Sequence, residues 1–132
     1  AFAKSLASVF GKNTQPSKEE LADFLALFKH NNGKRIAHKL IRYMMERTKY
    51  RERWVQPLQS MKQPFLFING SDDSVSGKHL VERFREVVPD QKNIVELANI
   101  GHFPHLEAPE VVLEKFLGFH QVTVAESLVA KS

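Results

Sequence analysis

The segment that decides the fold runs from residue 64 to residue 74 and reads PFLFINGSDDS. Phe65–Ile68 is apolar throughout and lies between Pro64 and the turn residues Asn69 and Gly70. Such a run is typical of a strand that is buried on both faces of a sheet. A second short strand is expected at Asn93–Leu97, after one helical segment. This order predicts two parallel strands joined by a right-handed crossover.

Helical periodicity flanks both strands. Apolar residues recur at helical spacing between the strands and stop before Pro89. Another helix is expected from Pro109, because a first-turn position does not need its N–H. The buried side of that helix is expected at Val111, Val112 and Phe116. The predicted fold class is therefore α/β, with two parallel strands and flanking helices.

Two parallel strands do not make a stable sheet by themselves, because parallel sheets are normally larger and covered on both faces. The sequence therefore predicts that further strands complete the sheet. Either other chains supply them, or the sequence is a piece of a longer protein. In both cases an exposed strand edge would favour self-association of the isolated chain.

The first sixty residues are helical in pattern. Ser17 is an N-cap candidate, and Glu20 completes a capping box. Residues 31–33, Asn-Asn-Gly, are expected to end this helix, because they tolerate a left-handed backbone. The apolar positions form three stripes at helical spacing: Leu21, Phe24, Leu25 and Phe28; Ile36, Leu40, Ile41 and Met44; and Tyr50, Trp54, Leu58 and Met61.

The composition is ordinary for a globular protein, with 42% hydrophobic and 26% charged residues. No apolar run approaches the roughly 20 residues that cross a bilayer, so we expect no membrane association. The start of the sequence has no signal-peptide pattern. Cysteine does not occur, and no histidine pair has the spacing of a metal site. The sequence thus predicts a cytoplasmic protein without a metal or other cofactor.

A basic stretch between Lys34 and Arg53 contains eight basic and two acidic residues. A nucleic-acid site would need exposed aromatic residues among these charges. Tyr50 and Trp54 lie on an apolar stripe instead. We therefore expect solvated helix faces here, and no nucleic-acid partner.

Two residues with catalytic chemistry follow the two predicted strands. Asp73 comes after the first strand, and His102 comes after the second, in the segment IGHFPHLEAPE at residues 100–110. The carboxyl ends of neighbouring parallel strands meet at one edge of the sheet, where catalytic groups gather. An acid and a histidine there can form the orienter and base of nucleophilic catalysis. Acid before histidine, 29 residues apart, is the order that follows the nucleophile in α/β-hydrolases.

The segment Pro64–Phe119 resembles the end of the α/β-hydrolase fold, in the branch of haloalkane dehalogenases, epoxide hydrolases and esterases. The turn Gly70-x-x-Asp73 matches the position of that family's triad acid, and the spacing from Gly70 favours Asp73 over Asp72. The string Gly101-His102-x-Pro104-x-x-Glu107-x-Pro109 matches the position of the triad histidine. Residues 31–33 and 51–55 are similar to the mesoderm-specific transcript subgroup. The resemblance extends from residue 14 to residue 119.

The resemblance implies a helical lid at residues 1–49 and the C-terminal part of the core at 50–120. Residues 121–132 lack turn signals and are expected to form a tail or a loosely attached helix. It implies that Asp73 and His102 are catalytic. The family's nucleophile elbow, Gly-x-(Ser or Asp)-x-Gly, and its oxyanion-hole loop do not occur in this sequence, since both precede the lid in family members. The piece alone is therefore expected to be inactive. The intact parent is expected to hydrolyse an ester-like or alkyl substrate through a covalent intermediate, with a Ser or an Asp nucleophile.

The lid residues suggest a small-molecule substrate with an apolar moiety. Five residues of the helical first half are candidates for lining its pocket: Phe24, Phe28, Tyr43, Met44 and Trp54. The alternative is that they only pack the lid on the core. A second reading of the whole protein is a non-catalytic member of the family that acts as a binding scaffold.

Overall fold

The sheet is parallel, as the sequence predicts, and the α/β fold class is confirmed. The computed structural model describes the backbone of residues 2–129 and the side chains of residues 2–121. Within that part, the sheet contains β1, Phe67–Gly70, and β2, Ile94–Leu97. The register pairs Phe67 with Ile94 and Gly70 with Leu97. β1 begins two residues later than predicted, because pairing with the second strand starts at the bond from the Phe67 N–H to the Asn93 carbonyl.

Helices occupy most of the remaining chain. A 3₁₀ helix follows the second α-helix, and a short helix that the sequence did not indicate follows β2. The bounds of the α-helices are α1 Phe2–Ala7, α2 Lys18–Lys29, α3 Ala37–Leu40, α4 Tyr43–Lys49, α5 Arg51–Ser60, α6 Lys78–Val87, α7 Pro104–Glu107 and α8 Pro109–Val129; the 3₁₀ helix spans His30–Arg35.

The predicted limits of α2 are confirmed. The Ser17 side chain accepts the Glu20 N–H, and the Glu20 carboxylate accepts the Ser17 N–H, so both halves of the capping box form. Asn31 and Asn32 then adopt left-handed backbone angles, with φ of 47° and 60°. Asparagine tolerates this conformation better than most residues, which is why the chain turns here.

The second apolar stripe is distributed over α3, α4 and their connections, and it is not buried. Ile36, Leu40, Ile41 and Met44 are all exposed, with 67% of Leu40 accessible. Helical spacing predicts which side chains share a face, but not whether anything covers that face.

The core lies between the sheet and α6. Val81 and Val88 are buried, and the Phe84 ring packs against the rings of Phe65 and Phe67 at 5.6 and 5.1 Å between centroids. This apolar face fixes α6 beside β1, so the loop that joins them is held at both ends.

The last helix, α8, begins at Pro109 as predicted. The expected burial of its apolar side is wrong for two residues, because Val111 and Phe116 remain 39% and 49% exposed. Its backbone passes through the predicted boundary at residue 120 without a break and ends at Val129. The end of the predicted tail, residues 130–132, lies outside the described residues, and the three-part division stays a prediction.

The chain exposes a large surface for its size. Its accessible area is 10134 Å², whereas a compact protein of 15.1 kDa exposes about 7,100 Å². Exposed apolar residues of α3, α4 and α8 contribute to this area, among them Leu40, Met45 and Leu113. Within the described residues, no helix has the length and apolar content that a membrane span requires.

Candidate active site

The loops after β1 and β2 meet through two glycines. A Cβ atom on Gly70 would lie 2.0 Å from the Gly101 carbonyl oxygen, and one on Gly101 would lie 2.4 Å from the Gly11 nitrogen. Only glycine permits backbones to approach this closely. The Asp72 N–H also donates to the Ile100 carbonyl at 2.9 Å. The close contact brings the predicted acid and base, one on each loop, within reach of each other.

Asp73 is buried, and its carboxylate organises the first loop. Oδ1 accepts the Val75 N–H at 2.8 Å, and Oδ2 accepts the Ser76 N–H at 3.0 Å and the Ser76 hydroxyl at 2.5 Å. Burial raises the pKa of Asp73, but the hydrogen bonds from Ser76, Val75 and His102 and the attraction of His102 outweigh it, so the pKa lies below its ordinary value. The acid is therefore held as a carboxylate.

His102 lies against this carboxylate. Its Nδ1 is 2.7 Å from Asp73 Oδ2, and its side chain is 38% exposed, whereas the Asp73 side chain is 3% exposed. The Phe103 ring meets the imidazole edge-to-face, at 4.9 Å between centroids. Asp72, the neighbouring carboxylate, is exposed. An imidazole bonded through Nδ1 to a buried carboxylate has a fixed ring orientation and can exchange a proton at Nε2.

Glu107 is a third acidic residue of this region, and sequence reasoning assigned it no separate role. Its carboxylate accepts four hydrogen bonds, from the Thr14 hydroxyl and from the N–H groups of Gly101, Gly11 and Phe103. Burial raises the pKa of Glu107, but these hydrogen bonds outweigh it and hold the pKa below its ordinary value. The sequence signal for Glu107 was its place in the motif around His102, at residues 101–109. Its partners Gly11 and Thr14 are distant in sequence and could not be predicted.

The two phenylalanines among the predicted pocket residues occupy different places. The Phe24 ring lies 5.8 Å from the Phe103 ring and 6.5 Å from the Phe10 ring, between centroids. Phe24 is thus one side chain removed from His102. Phe28 stacks on Phe2 instead, at 4.9 Å.

Of the other three predicted pocket residues, two line a different groove and one is exposed. Met44 and Trp54 line a groove of about 620 Å³ between α4, α5 and α6, and its lining contains neither Asp73 nor His102. Tyr43 is exposed. Phe24 is linked to the pair through the ring of Phe103, and the pocket role of all five residues stays a prediction.

The described part of the chain contains no cluster of side chains suited to binding a metal ion. No group of three histidine or acidic side chains there could hold a metal ion. The chemistry available at the site is proton transfer by an oriented imidazole.

The described sheet is parallel and has helices beside it, with an acid and a histidine on adjoining loops at its carboxyl edge. An acid followed by a histidine in such loops is typical of α/β-hydrolase-fold proteins. The chain is homologous to proteins of that fold. The mesoderm-specific transcript protein of Mus musculus is 34% identical over 119 residues, and its Homo sapiens homologue is 35% identical over 119 residues. A Mycobacterium tuberculosis protein named "Putative hydrolase LipZ" is 32% identical over 116 residues.

The matches cover most of this chain but only part of each relative. They include 89% of the chain and 36% of the mouse and human proteins, and 88% of the chain and 40% of LipZ. The chain therefore spans less than half the length of these relatives. No protein-family model and no solved structure matches it.

Proposed function

We propose that the protein containing this chain is a hydrolase in which Asp73 and His102 are the acid and the base of a catalytic triad. The observation that carries the proposal is the 2.7 Å contact between His102 Nδ1 and the buried Asp73 carboxylate. The name of the homologue LipZ supports hydrolysis as the reaction class. The nucleophile would lie in a part of the protein outside this sequence.

In the proposed mechanism, the Asp73 carboxylate accepts a hydrogen bond from the Nδ1–H of His102, which leaves Nε2 free to take up a proton. With a serine nucleophile, Nε2 removes the hydroxyl proton as the oxygen attacks an acyl carbon, and the imidazolium then donates that proton to the leaving group. In the second step Nε2 removes a proton from water as it attacks the acyl-enzyme ester, and the imidazolium returns the proton to the departing serine oxygen. With an aspartate nucleophile, the carboxylate displaces a leaving group from an alkyl carbon. His102 then removes a proton from the water that hydrolyses the resulting ester.

The ionised state of Asp73 favours this role. Charge develops on the imidazole when it accepts a proton, and an adjacent buried carboxylate stabilises that charge. The Phe103 ring, which meets the imidazole of His102, forms an aromatic cluster with Phe10 and Phe24. We propose that the substrate is a small molecule with an apolar moiety, and that this moiety binds against the aromatic cluster.

The test uses the full-length protein and a panel of p-nitrophenyl esters of graded acyl length, with 1-haloalkanes and epoxides beside them. We expect hydrolysis of at least one class, and a loss of several orders of magnitude in kcat for Asp73→Asn. Asp72→Asn is the matched control and should keep its activity. Equal losses in the two variants, or a greater loss in Asp72→Asn, would reject the assignment of Asp73.

A binding scaffold without catalysis is the second candidate. It is favoured by the exposed apolar residues of the lid segment, among them Leu27, Leu40 and Met45. Exposed apolar patches of this kind commonly mark interaction surfaces. A full-length protein that hydrolyses none of the panel and has no Gly-x-(Ser or Asp)-x-Gly elbow would support this function instead.

A further inference from the structure

The backbone on both sides of His102 is bonded to one side chain. Glu107 Oε2 accepts the Gly101 N–H at 2.8 Å, and Oε1 accepts the Phe103 N–H at 3.0 Å. We propose that Glu107 is the positioning residue that holds His102 at Asp73. This inference rests on the proposed function of the Asp–His pair. It adds a residue that acts through the loop of residues 98–103, here called the histidine loop.

The hydrogen bonds leave the histidine loop little freedom. The His102 N–H itself donates to the Val9 carbonyl at 2.8 Å, so three consecutive N–H groups have fixed acceptors. Glu107 reaches back to them because the helical turn α7 returns the chain toward the start of its own loop. Fixing the backbone fixes the Cα–Cβ direction of His102, and with it the distance from Nδ1 to the acid.

The same carboxylate holds a distant segment. Oε2 also accepts the Gly11 N–H at 2.8 Å and the Thr14 hydroxyl at 2.5 Å. Gly11 lies under Gly101, where a Cβ on Gly101 would meet its nitrogen at 2.4 Å. Glu107 therefore connects the segment before α2, which contains Gly11 and Thr14, to the loop that contains His102.

The substitution Glu107→Gln distinguishes a residue that positions His102 through hydrogen bonds from one that only fills space. Glutamine has the size of glutamate, but one of its two terminal atoms is a donor. In either amide orientation, an N–H beside His102 faces a donor instead of an acceptor: Phe103 in one case, Gly101 in the other. Thr14→Val is the matched control, because it removes one hydrogen bond to the carboxylate and leaves the N–H groups of the histidine loop untouched.

The experiment compares wild type, Glu107→Gln and Thr14→Val in the full-length protein, at a temperature where all three are folded. The first readout is kcat and KM on the best substrate of the panel. We expect Glu107→Gln to lower kcat about 100-fold with little change in KM, the effect of a misplaced catalytic group. Thr14→Val should keep both constants while lowering the melting temperature.

The second readout is the low-field proton NMR signal of a histidine Nδ1–H bonded to a carboxylate, assigned with Asp73→Asn. We expect the signal in wild type and Thr14→Val, and its loss in Glu107→Gln. An unchanged signal and kcat in Glu107→Gln, with only a lower melting temperature, would overturn the positioning role.

The signal also separates this inference from the proposed function. If the wild-type protein hydrolyses nothing, or if His102→Ala remains active, the proposed function fails. The loss or retention of the low-field signal in Glu107→Gln still decides whether Glu107 positions His102.

Discussion

Asp73 is a buried carboxylate whose charge is compensated by donors from its own loop and from His102. Its pKa is lowered in the folded protein, below the value of about 3.9 expected in an unfolded chain. A lowered pKa gives a stabilising contribution that is present above the unfolded pKa and lost as the pH falls through the folded pKa. Glu107 contributes with the same sign.

We therefore expect the free energy of unfolding to decrease as the pH falls below about 4. The decrease should be smaller in Asp73→Asn, which has no carboxyl group to protonate at this site. Chemical denaturation of the full-length protein at a series of pH values measures this. If the free energy of unfolding of Asp73→Asn and of wild type fell equally with pH, the lowered pKa of Asp73 would not contribute to stability.

Gly70 lies so close to the backbone of the neighbouring loop that a larger residue there should lower stability. Gly70→Ala places a Cβ atom against the backbone carbonyls of Gly101 and Ile100, neither of which can rotate away. We expect a loss of about 1–3 kcal/mol in the free energy of unfolding, as for other overpacked sites.

Gly118→Ala is the control for this substitution, because a Cβ on Gly118 meets nothing within 4 Å and the residue lies within α8. Alanine should stabilise that helix by about 0.5–1 kcal/mol. Denaturation midpoints compare the two variants. Similar effects in both would show that the two loops do not depend on their close approach.

Much of the residue-scale arrangement could be predicted from the sequence. The spacing from Gly70 indicated Asp73 rather than Asp72, and the structure places Asp73 against His102. The bonds of Glu107 could not be predicted, because they join positions that only the folded chain brings together. Tyr43, Met44 and Trp54 were grouped with Phe24 on composition alone, which does not determine the direction in which a helix presents its side chains.

At the scale of elements, α2 depends on its N-terminal cap. Ser17→Ala removes the acceptor of the Glu20 N–H, and we expect a loss of about 1 kcal/mol in the free energy of unfolding. Ser17→Asp keeps an acceptor and should remain close to wild type. Thermal unfolding of the three proteins checks this, and an equal loss in both variants would contradict a capping role.

Element types were easier to predict than element burial. Apolar runs beside Pro64 and Gly70 indicated a strand, and periodicity indicated α6 and α8, because these signals are local. Burial depends on neighbouring elements, which is why Val111 and Phe116 were wrongly placed in the core. The short helix α7 was missed because four residues are too few to show a period.

At the scale of the whole molecule, a described sheet of only two strands and the exposed apolar residues of α3 and α4 predict self-association. Expressed alone, the 132-residue chain should form dimers or larger species whose proportion rises with concentration. Sedimentation velocity over a hundredfold concentration range measures this. A chain that stays folded and monomeric throughout that range would contradict the prediction.

We infer that His102 is the catalytic base of the full-length protein. The most direct test is kcat/KM for wild type, His102→Ala and the control His105→Ala, in which a nearby exposed histidine is removed. We expect a loss of about three or more orders of magnitude in His102→Ala, in line with removal of a triad member, and near wild-type activity in His105→Ala. A mild loss in His102→Ala, comparable with that of His105→Ala, would contradict it.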